Sequence, residues 1–424
     1  MAQRTKLKMK TKRILFIGYN FTPELTGIGK YSGEMMEWLA EHGHQCTILT
    51  AYPYYPYWKI QEPYRKNRFW FKKEVQKFSS GGTLTVLRCP MYVPIQPSGL
   101  KRMLLDTSFS ASAFGRMLPL LFQKKYDWVI SVAPSFQFGL LGVFYKKLKG
   151  AKHLHHIQDL QIEAAQDLGM IKNPKLLKLL YGTEKYIFKN TDVVSSISDG
   201  MMARIEKKAK KPLLFFPNWT DTTSFQPITE NRELLKEKFS FAPNDWVVLY
   251  SGAIGEKQGL EAILHTAKAL EAHKRLKFAI CGTGPYKETL MGLANDMGLA
   301  NMHFLPLQPK EDFNDFLNMA DLHLVIQKEK ASDLVMPSKL TTILAVGGLA
   351  LITANKESSL HKVVSEHKMG LLVNAEDQNA LNEGVIKAFN NSNSAIIRQA
   401  ARSYAEEYLS IKKVMRSFNN QLVK

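Results

Sequence analysis

The stretch Trp246-Val247-Val248-Leu249-Tyr250-Ser251-Gly252-Ala253-Ile254-Gly255-Glu256-Lys257-Gln258-Gly259-Leu260 decides the fold class. Its first five residues are apolar and either β-branched, aliphatic or aromatic, the composition of a strand buried on both faces. Glycines then break the run. Across 260–271 apolar residues recur at helical spacing. A buried strand, a glycine turn and a helix N-terminus in that order make one βα unit of a parallel sheet. The turn also suits an anion, because the unpaired N–H groups and the dipole of the helix point into it.

The same arrangement stands near the start of the chain. Residues 14–18 read as a strand, Thr26-Gly27-Ile28-Gly29-Lys30 as the turn and 31–41 as the helix. Two such units in 424 residues predict an α/β protein of two Rossmann-like, doubly wound domains facing a cleft. Further strands are expected at 45–50, 83–89, 128–132, 153–157, 193–196 and 213–216, and at 278–282, 302–305, 322–326, 349–353 and 370–373. The Pro-, Asn- and Thr-rich run 217–227 reads as the join. The expected domains are 1–222 and 223–397, with a helix over 398–424 crossing back to the first.

Composition narrows the setting. Residues 1–222 carry 34 Lys and Arg against 16 Asp and Glu, a net +18, whereas residues 223–424 carry 23 against 22, a net +1. The first half alone therefore calls for an acidic partner, lipid or nucleic acid. Cys46, Cys89 and Cys281 are scattered and form no disulfide framework or zinc motif, which suits a reducing cytoplasm. No apolar run reaches membrane-spanning length, and the basic start lacks the apolar segment of a signal peptide.

Several segments carry chemistry. Gly252, Gly255 and Gly259 allow close backbone approach, and Lys257 offers a point charge for a diphosphate. Gly282-Thr283-Gly284-Pro285 ends the next strand, so both loops are expected side by side at one edge of the sheet. Pro337-Ser338-Lys339 opens a helix, again a place for phosphate. Eight residues separate Gly18 from Gly27, which fails the dinucleotide-binding spacing and disfavours NAD. In the first domain, His155-His156-Ile157-Gln158-Asp159-Leu160-Gln161-Ile162-Glu163 follows a strand end. Asp159 is the candidate to orient an acceptor hydroxyl or take its proton, with Glu163 second. The alternative is that Asp159 caps a helix and the histidines pack in the core.

Together these segments resemble the family-four retaining glycosyltransferases of GT-B fold, in their colanic acid branch. The resemblance rests on residues 23–31, Tyr54-Tyr55-Pro56, His156-Ile157-Gln158-Asp159, Phe216-Pro217-Asn218-Trp219, 251–260, Gly282–Pro285 and 337–348. It implies a nucleoside-diphosphate sugar in the second domain and transfer to an acceptor held by the first. It implies donor contacts at Gly27, Gly29, Gly252, Gly255, Gly259, Gly282, Gly284, Ser338, Lys339 and Thr342, stabilisation of the leaving diphosphate by Lys257, and no metal or other cofactor. Two positions depart from the family. Ala253 stands where an arginine is usual, and Leu334 and Thr342 replace the paired glutamates, with Asp333 out of register.

Aromatic residues interleave with basic ones at Tyr57, Trp58, Arg65, Lys66, Arg68, Trp70, Lys72 and Lys73. Lys101 and Arg102 begin an apolar stretch that runs to 125. This pattern suits an anionic membrane–water interface. The expected setting is the inner leaflet of the plasma membrane, bound peripherally from the cytoplasm. The expected acceptor is a polyprenyl-diphosphate-linked saccharide in surface polysaccharide synthesis, with GDP-fucose a weakly indicated donor. A sugar-nucleotide epimerase of the same fold is the rival enzyme. A protein binding single-stranded nucleic acid is the rival of another class, and it leaves the second domain unexplained.

Overall fold

The computed structural model describes residues 11–24, 27–167, 171, 173–328, 337–390 and 394–424, with the backbone alone at 164, 165, 167 and 257. The chain divides into two compact units, Met1–Phe216 with Met415–Lys424, and Pro217–Val414. The first boundary thus falls at Phe216 rather than at residue 222. The returning segment is shorter than 398–424, because Ala401, Ala405 and Leu409 are buried in a core of the second unit.

The first unit is built on eight strands: β1 (Arg13–Ile17), β2 (Gln45–Ala51), β3 (Lys72–Lys77), β4 (Thr83–Cys89), β5 (Trp128–Ala133), β6 (Lys152–Ile157), β7 (Val193–Ser196) and β8 (Leu213–Phe215). Their order is β3-β4-β2-β1-β5-β6-β7-β8. All pair in parallel except β3, which runs antiparallel to β4. The connecting helices are α1 (Gly27–Glu41), α2 (Gly99–Met117), α3 (Phe138–Lys149), α4 (Gln161–Asp167), α5 (Pro174–Asn190) and α6 (Asp199–Glu206). Apolar pattern locates every strand but β3. Lys72-Lys73-Glu74-Val75-Gln76-Lys77 lies at the sheet edge, where its backbone does the pairing and its charges discourage a further strand. Strand order reverses between β1 and β5, so the loops after these strands flank the topological switch point, where open α/β sheets bind ligands.

The second unit holds α7 (Arg232–Lys238), β9 (Trp246–Ser251), α8 (Glu261–Ala269), β10 (Leu276–Cys281), α9 (Lys287–Asp296), β11 (Met302–Leu305), α10 (Phe313–Met319), β12 (Leu322–Val325), α11 (Ser338–Ala345), β13 (Ala350–Thr353), α12 (Ser359–His367), β14 (Leu371–Val373), α13 (Gln378–Asn390) and α14 (Ser394–Tyr404). Its six strands run in the order β11-β10-β9-β12-β13-β14, all parallel. Val247, Val248, Leu249 and Tyr250 are buried, as a central parallel strand requires. The switch point here lies between β9 and β12.

The last helix, α15 (Ile411–Val423), carries the chain from the second unit into the first. Within the first unit Phe418 stacks on Phe216 with ring centroids 4.1 Å apart. Asn419 hydrogen-bonds His44 at 2.8 Å, and the Trp128 indole donates to the Leu422 carbonyl at 2.9 Å.

Candidate active site

In the second unit the glycine loops after β9 and β10 lie side by side. They extend the strand ladder, with Gly252 N–H donating to Cys281 O and Ile254 N–H to Thr283 O, both at 2.9 Å. Side chains would prevent this. A Cβ on Gly282 would stand 1.9 Å from Gly252 O, and one on Gly284 would stand 1.9 Å from Ile254 O. Loop packing therefore accounts for Gly282 and Gly284 without a ligand. Gly255 faces Gln258, whose Oε1 is 2.8 Å from where a Cβ would be. Gly259 ends a single 3-10 turn (Glu256–Gln258) at φ 68, with the stem of Lys328 beside it.

Lys339 is the polar group in this region with the clearest call for an anion. It enters from the first turn of α11, and its Nζ lies 3.6 Å from the centroid of the Tyr250 ring. A Cβ on Gly252 would come within 2.6 Å of that nitrogen. The Tyr250 hydroxyl faces away, donating to Ala253 O at 2.7 Å. Burial lowers the Lys339 ammonium from its ordinary value to about 7. Ser338 is exposed at the start of α11, whose N-cap position, Pro337, supplies no side-chain hydrogen bond. The Thr342 hydroxyl is taken up by the helix, donating to Lys339 O at 3.0 Å. The Lys257 side chain and residues Asp333 and Leu334 lie outside the described residues.

In the first unit, Glu24 organises the loop after β1. Its Oε1 accepts from the N–H groups of Tyr54 and Tyr55 at 2.9 and 3.0 Å, and its Oε2 accepts from the Asn20 amide at 2.8 Å. Two sequence segments that carried the family resemblance are thus joined by one buried carboxylate. Gly29 lies against that carboxylate, whereas Gly27 adopts φ 60 with open space beside it. Burial pushes the Glu24 carboxyl up to about 7 despite its three donors.

Asp159 is half-buried just past β6, at the C-terminal edge of the sheet. Glu163, one turn on in α4, is engaged in an ion pair with Lys208, which also binds Glu184 at 2.9 Å. His155 and His156 are core residues. Ser131 Oγ stands 2.8 Å from His155 Nδ1 and from His153 Nε2, and Ser195 Oγ stands 2.9 Å from His156 Nδ1. Burial holds His155 near about 4 and His156 near about 3, so both are neutral.

Asp106, on α2, was not singled out in the sequence. It is buried, takes hydrogen bonds from the Tyr19, Ser135 and Gln161 side chains, and has its carboxyl pushed up to about 6 by desolvation. Its signal was positional. Asp106 sits one helical step from Leu105 and Phe109, on the stripe that continues to Ala113 and Met117 and faces the core. Arg102 lies over the Trp58 ring at 5.2 Å. Trp58, expected to face a membrane, packs instead against Tyr54 and Tyr55. Among the described residues no group of three or more His, Cys, Asp and Glu converges as a metal site would require, and no helix is long and apolar enough to cross a membrane.

Two parallel-sheet units with phosphate-type loops at their switch points define a GT-B architecture. Residues 26–219 match the family described as "Glycosyl transferase 4-like domain", and residues 231–408 match "Glycosyl transferases group 1". The chain is 41% identical over 420 residues to the provisionally named colanic acid biosynthesis glycosyl transferase WcaI of Escherichia coli (strain K12), covering 97% of this chain and 99% of that protein. It shares its fold with sucrose-phosphate synthase from Thermosynechococcus elongatus, at TM-score 0.76, 15% identity and coverage of 97% and 98% of the two chains. It also shares it with Anabaena HepE, solved in complex with UDP-glucose, at TM-score 0.67, 11% identity and coverage of 97% and 99%. The chain belongs to the family-four glycosyltransferases of GT-B fold and is a transferase. Family membership favours sugar transfer over the epimerase and nucleic-acid readings.

Proposed function

We propose that this enzyme moves a sugar, with retention at the anomeric carbon, from a nucleoside-diphosphate sugar to a polyprenyl-diphosphate-linked saccharide during synthesis of a surface polysaccharide. The observation that carries the donor half is the Lys339 ammonium held over Tyr250 at the β9 switch point. There it meets the N-terminus of α11 and the loop Gly252–Gly259. Lys257 and Lys339 stabilise charge that grows on the leaving diphosphate, so they act most strongly in the transition state. They supply the positive charge that Ala253 lacks. This supports transfer without a metal, and chelation with EDTA is expected to leave turnover unchanged. Asp159 orients the acceptor hydroxyl from the first unit.

The acceptor half rests on one face of the first unit. Phe69 and Trp70 are 71% and 74% exposed, and Phe122 is 90% exposed. The outer face of α2 is apolar at Leu100, Met103, Leu104 and Phe114, while Leu105, Phe109, Ala113 and Met117 point inward. Arg116 of α2 stacks on Phe71 at 5.6 Å, which places the two aromatic and apolar patches together. Exposed Arg65, Lys66, Arg68, Lys73, Lys101 and Arg102 lie in the same segments. This supports peripheral docking on an anionic cytoplasmic leaflet, where the lipid-linked acceptor resides. WcaI is named for colanic acid biosynthesis, which supports an exported polysaccharide as the product.

A thermal-shift screen of UDP- and GDP-sugars tests the donor reading, because a bound ligand raises the melting temperature by mass action. Stabilisation by at least one nucleotide sugar is expected. Lys257→Ala should lower kcat/KM by about a hundredfold or more without altering the unliganded melting temperature. Turnover near that of the unaltered enzyme would overturn the diphosphate assignment.

A further inference from the structure

An ammonium removed from water needs an anion within reach, or it yields its proton. Lys339 has no such partner among the described residues. Its ammonium contacts the Tyr250 ring face, and its stem passes the Gly252 backbone. The ring attracts a cation but carries no net charge.

The elements around it supply no counter-charge. On β9, burial holds Tyr250 neutral. On β12, burial likewise holds His323 neutral. β13 contributes Ala350 to Thr353, none of them titratable. Past β12, Lys328 lies against Gly259. Glu256, on the glycine turn, is exposed. On α14, Arg398 and Arg402 donate to the carbonyls of Gly347 and Ala345, at the far end of α11. Glu406, in the turn after α14, is paired with Arg402. The pattern is an electropositive recess with its central cation unpaired, at the N-terminus of a helix whose cap position offers no side-chain acceptor.

Resting on the reading that a nucleotide binds at this edge of the second unit, we propose that Lys339 takes up a proton from solvent when the diphosphate arrives, making donor affinity dependent on pH. An anion within hydrogen-bond distance restores the missing counter-charge and raises the proton affinity of the amine. The free amine is half-protonated near about 7. Below that pH the site is already charged and affinity is flat. Above it, binding must draw a proton, and affinity falls by up to about tenfold per pH unit until the bound lysine itself titrates. Full charge thus develops at Lys339 only with the donor in place.

Isothermal titration of the full chain with UDP and with GDP tests this. Measurement at about pH 8 keeps the terminal phosphate, whose second ionisation lies near about 6, out of the proton count. Binding heats are compared in phosphate and Tris buffers, which differ in ionisation enthalpy. Uptake approaching one proton is expected for the unaltered protein, with affinity declining from about pH 7 to about pH 9. Lys339→Arg, whose charge does not titrate, should bind with heats independent of buffer and with affinity flat in pH. Lys339→Met should bind more weakly at neutral pH. Buffer-independent heats with the unaltered protein, or the same proton uptake in Lys339→Arg, would overturn the inference while leaving the nucleotide site intact. Absence of any binding heat with both nucleotides would overturn the site itself and the inference with it.

Discussion

The Glu24 carboxylate rests directly on Gly29: a Cβ at residue 29 would stand 2.5 Å from Glu24 Oε2 and 2.6 Å from Glu24 Cβ. The glycine is therefore required by an acid of the same loop, before any ligand is considered. Gly29→Ala must displace Glu24 and with it the loop that carries Tyr54 and Tyr55. A loss of about 1–3 kcal/mol in urea unfolding is expected, the usual range for overpacking. In a Glu24→Ala background the same substitution should cost much less. Equal costs in both backgrounds would show that the contact does not set the glycine requirement.

Glu24 also makes stability depend on pH. Its folded carboxyl titrates at about 7, against an ordinary value of 4.5. Between these values the native state holds a proton that the unfolded chain has lost. The contribution is full below 4.5 and is lost as pH rises through about 7. At about 1.4 kcal/mol per pH unit its upper bound is about 3 kcal/mol. Asp106, raised to about 6, acts in the same direction. Urea midpoints measured from acid to neutral pH should fall more steeply for the unaltered protein than for Glu24→Gln. Parallel curves would place the titration elsewhere.

Asp159 and His156 are three residues apart and are expected to respond differently. His156 is fully enclosed, bonded to Ser195 and packed edge-on against Phe216. His156→Ala should remove about 2–4 kcal/mol of stability, as large-to-small core changes do. Asp159 is half-buried beyond the strand end. Asp159→Asn should lower kcat with little change in melting temperature. A His156 variant that stays folded but loses turnover, beside an active Asp159→Asn, would reverse the assignment.

Strands announced themselves wherever both faces are buried, because such runs are continuous and apolar. β3 did not, since only its backbone is used. The glycine loops were legible as turns, but their reasons were not. Gly282 and Gly284 answer to neighbouring carbonyls, and Gly29 answers to Glu24. Those contacts join residues distant in the chain or fold a loop onto itself, which spacing alone does not encode. Asp106 was hidden for a related reason. A single acid in an apolar helix signals burial only when its place on the inward stripe is counted. Lys339 was visible as a helix-opening lysine, but its lack of a partner is a property of three dimensions. Lys257 remains a reading from sequence.

The outer face of α2 is expected to hold the enzyme on lipid through two separable contributions. Apolar side chains contribute by burial among acyl chains, about 0.8 kcal/mol for each buried methylene, and this is nearly insensitive to salt. Basic side chains contribute about 1 kcal/mol each near an anionic surface, and this is screened within a Debye length. Replacing exposed Met103, Leu104 and Phe114 by Ser should therefore weaken cosedimentation with anionic vesicles at low and at high salt. Replacing exposed Arg65, Lys66 and Lys73 by Gln should weaken it at low salt and flatten the salt dependence. Neither set touches the second unit, so binding of nucleotide sugar should be unchanged in both. Vesicle binding by the Ser variant equal to that of the unaltered protein would remove α2 from the docking face. Binding that is lost together with the melting transition would instead mark those residues as structural.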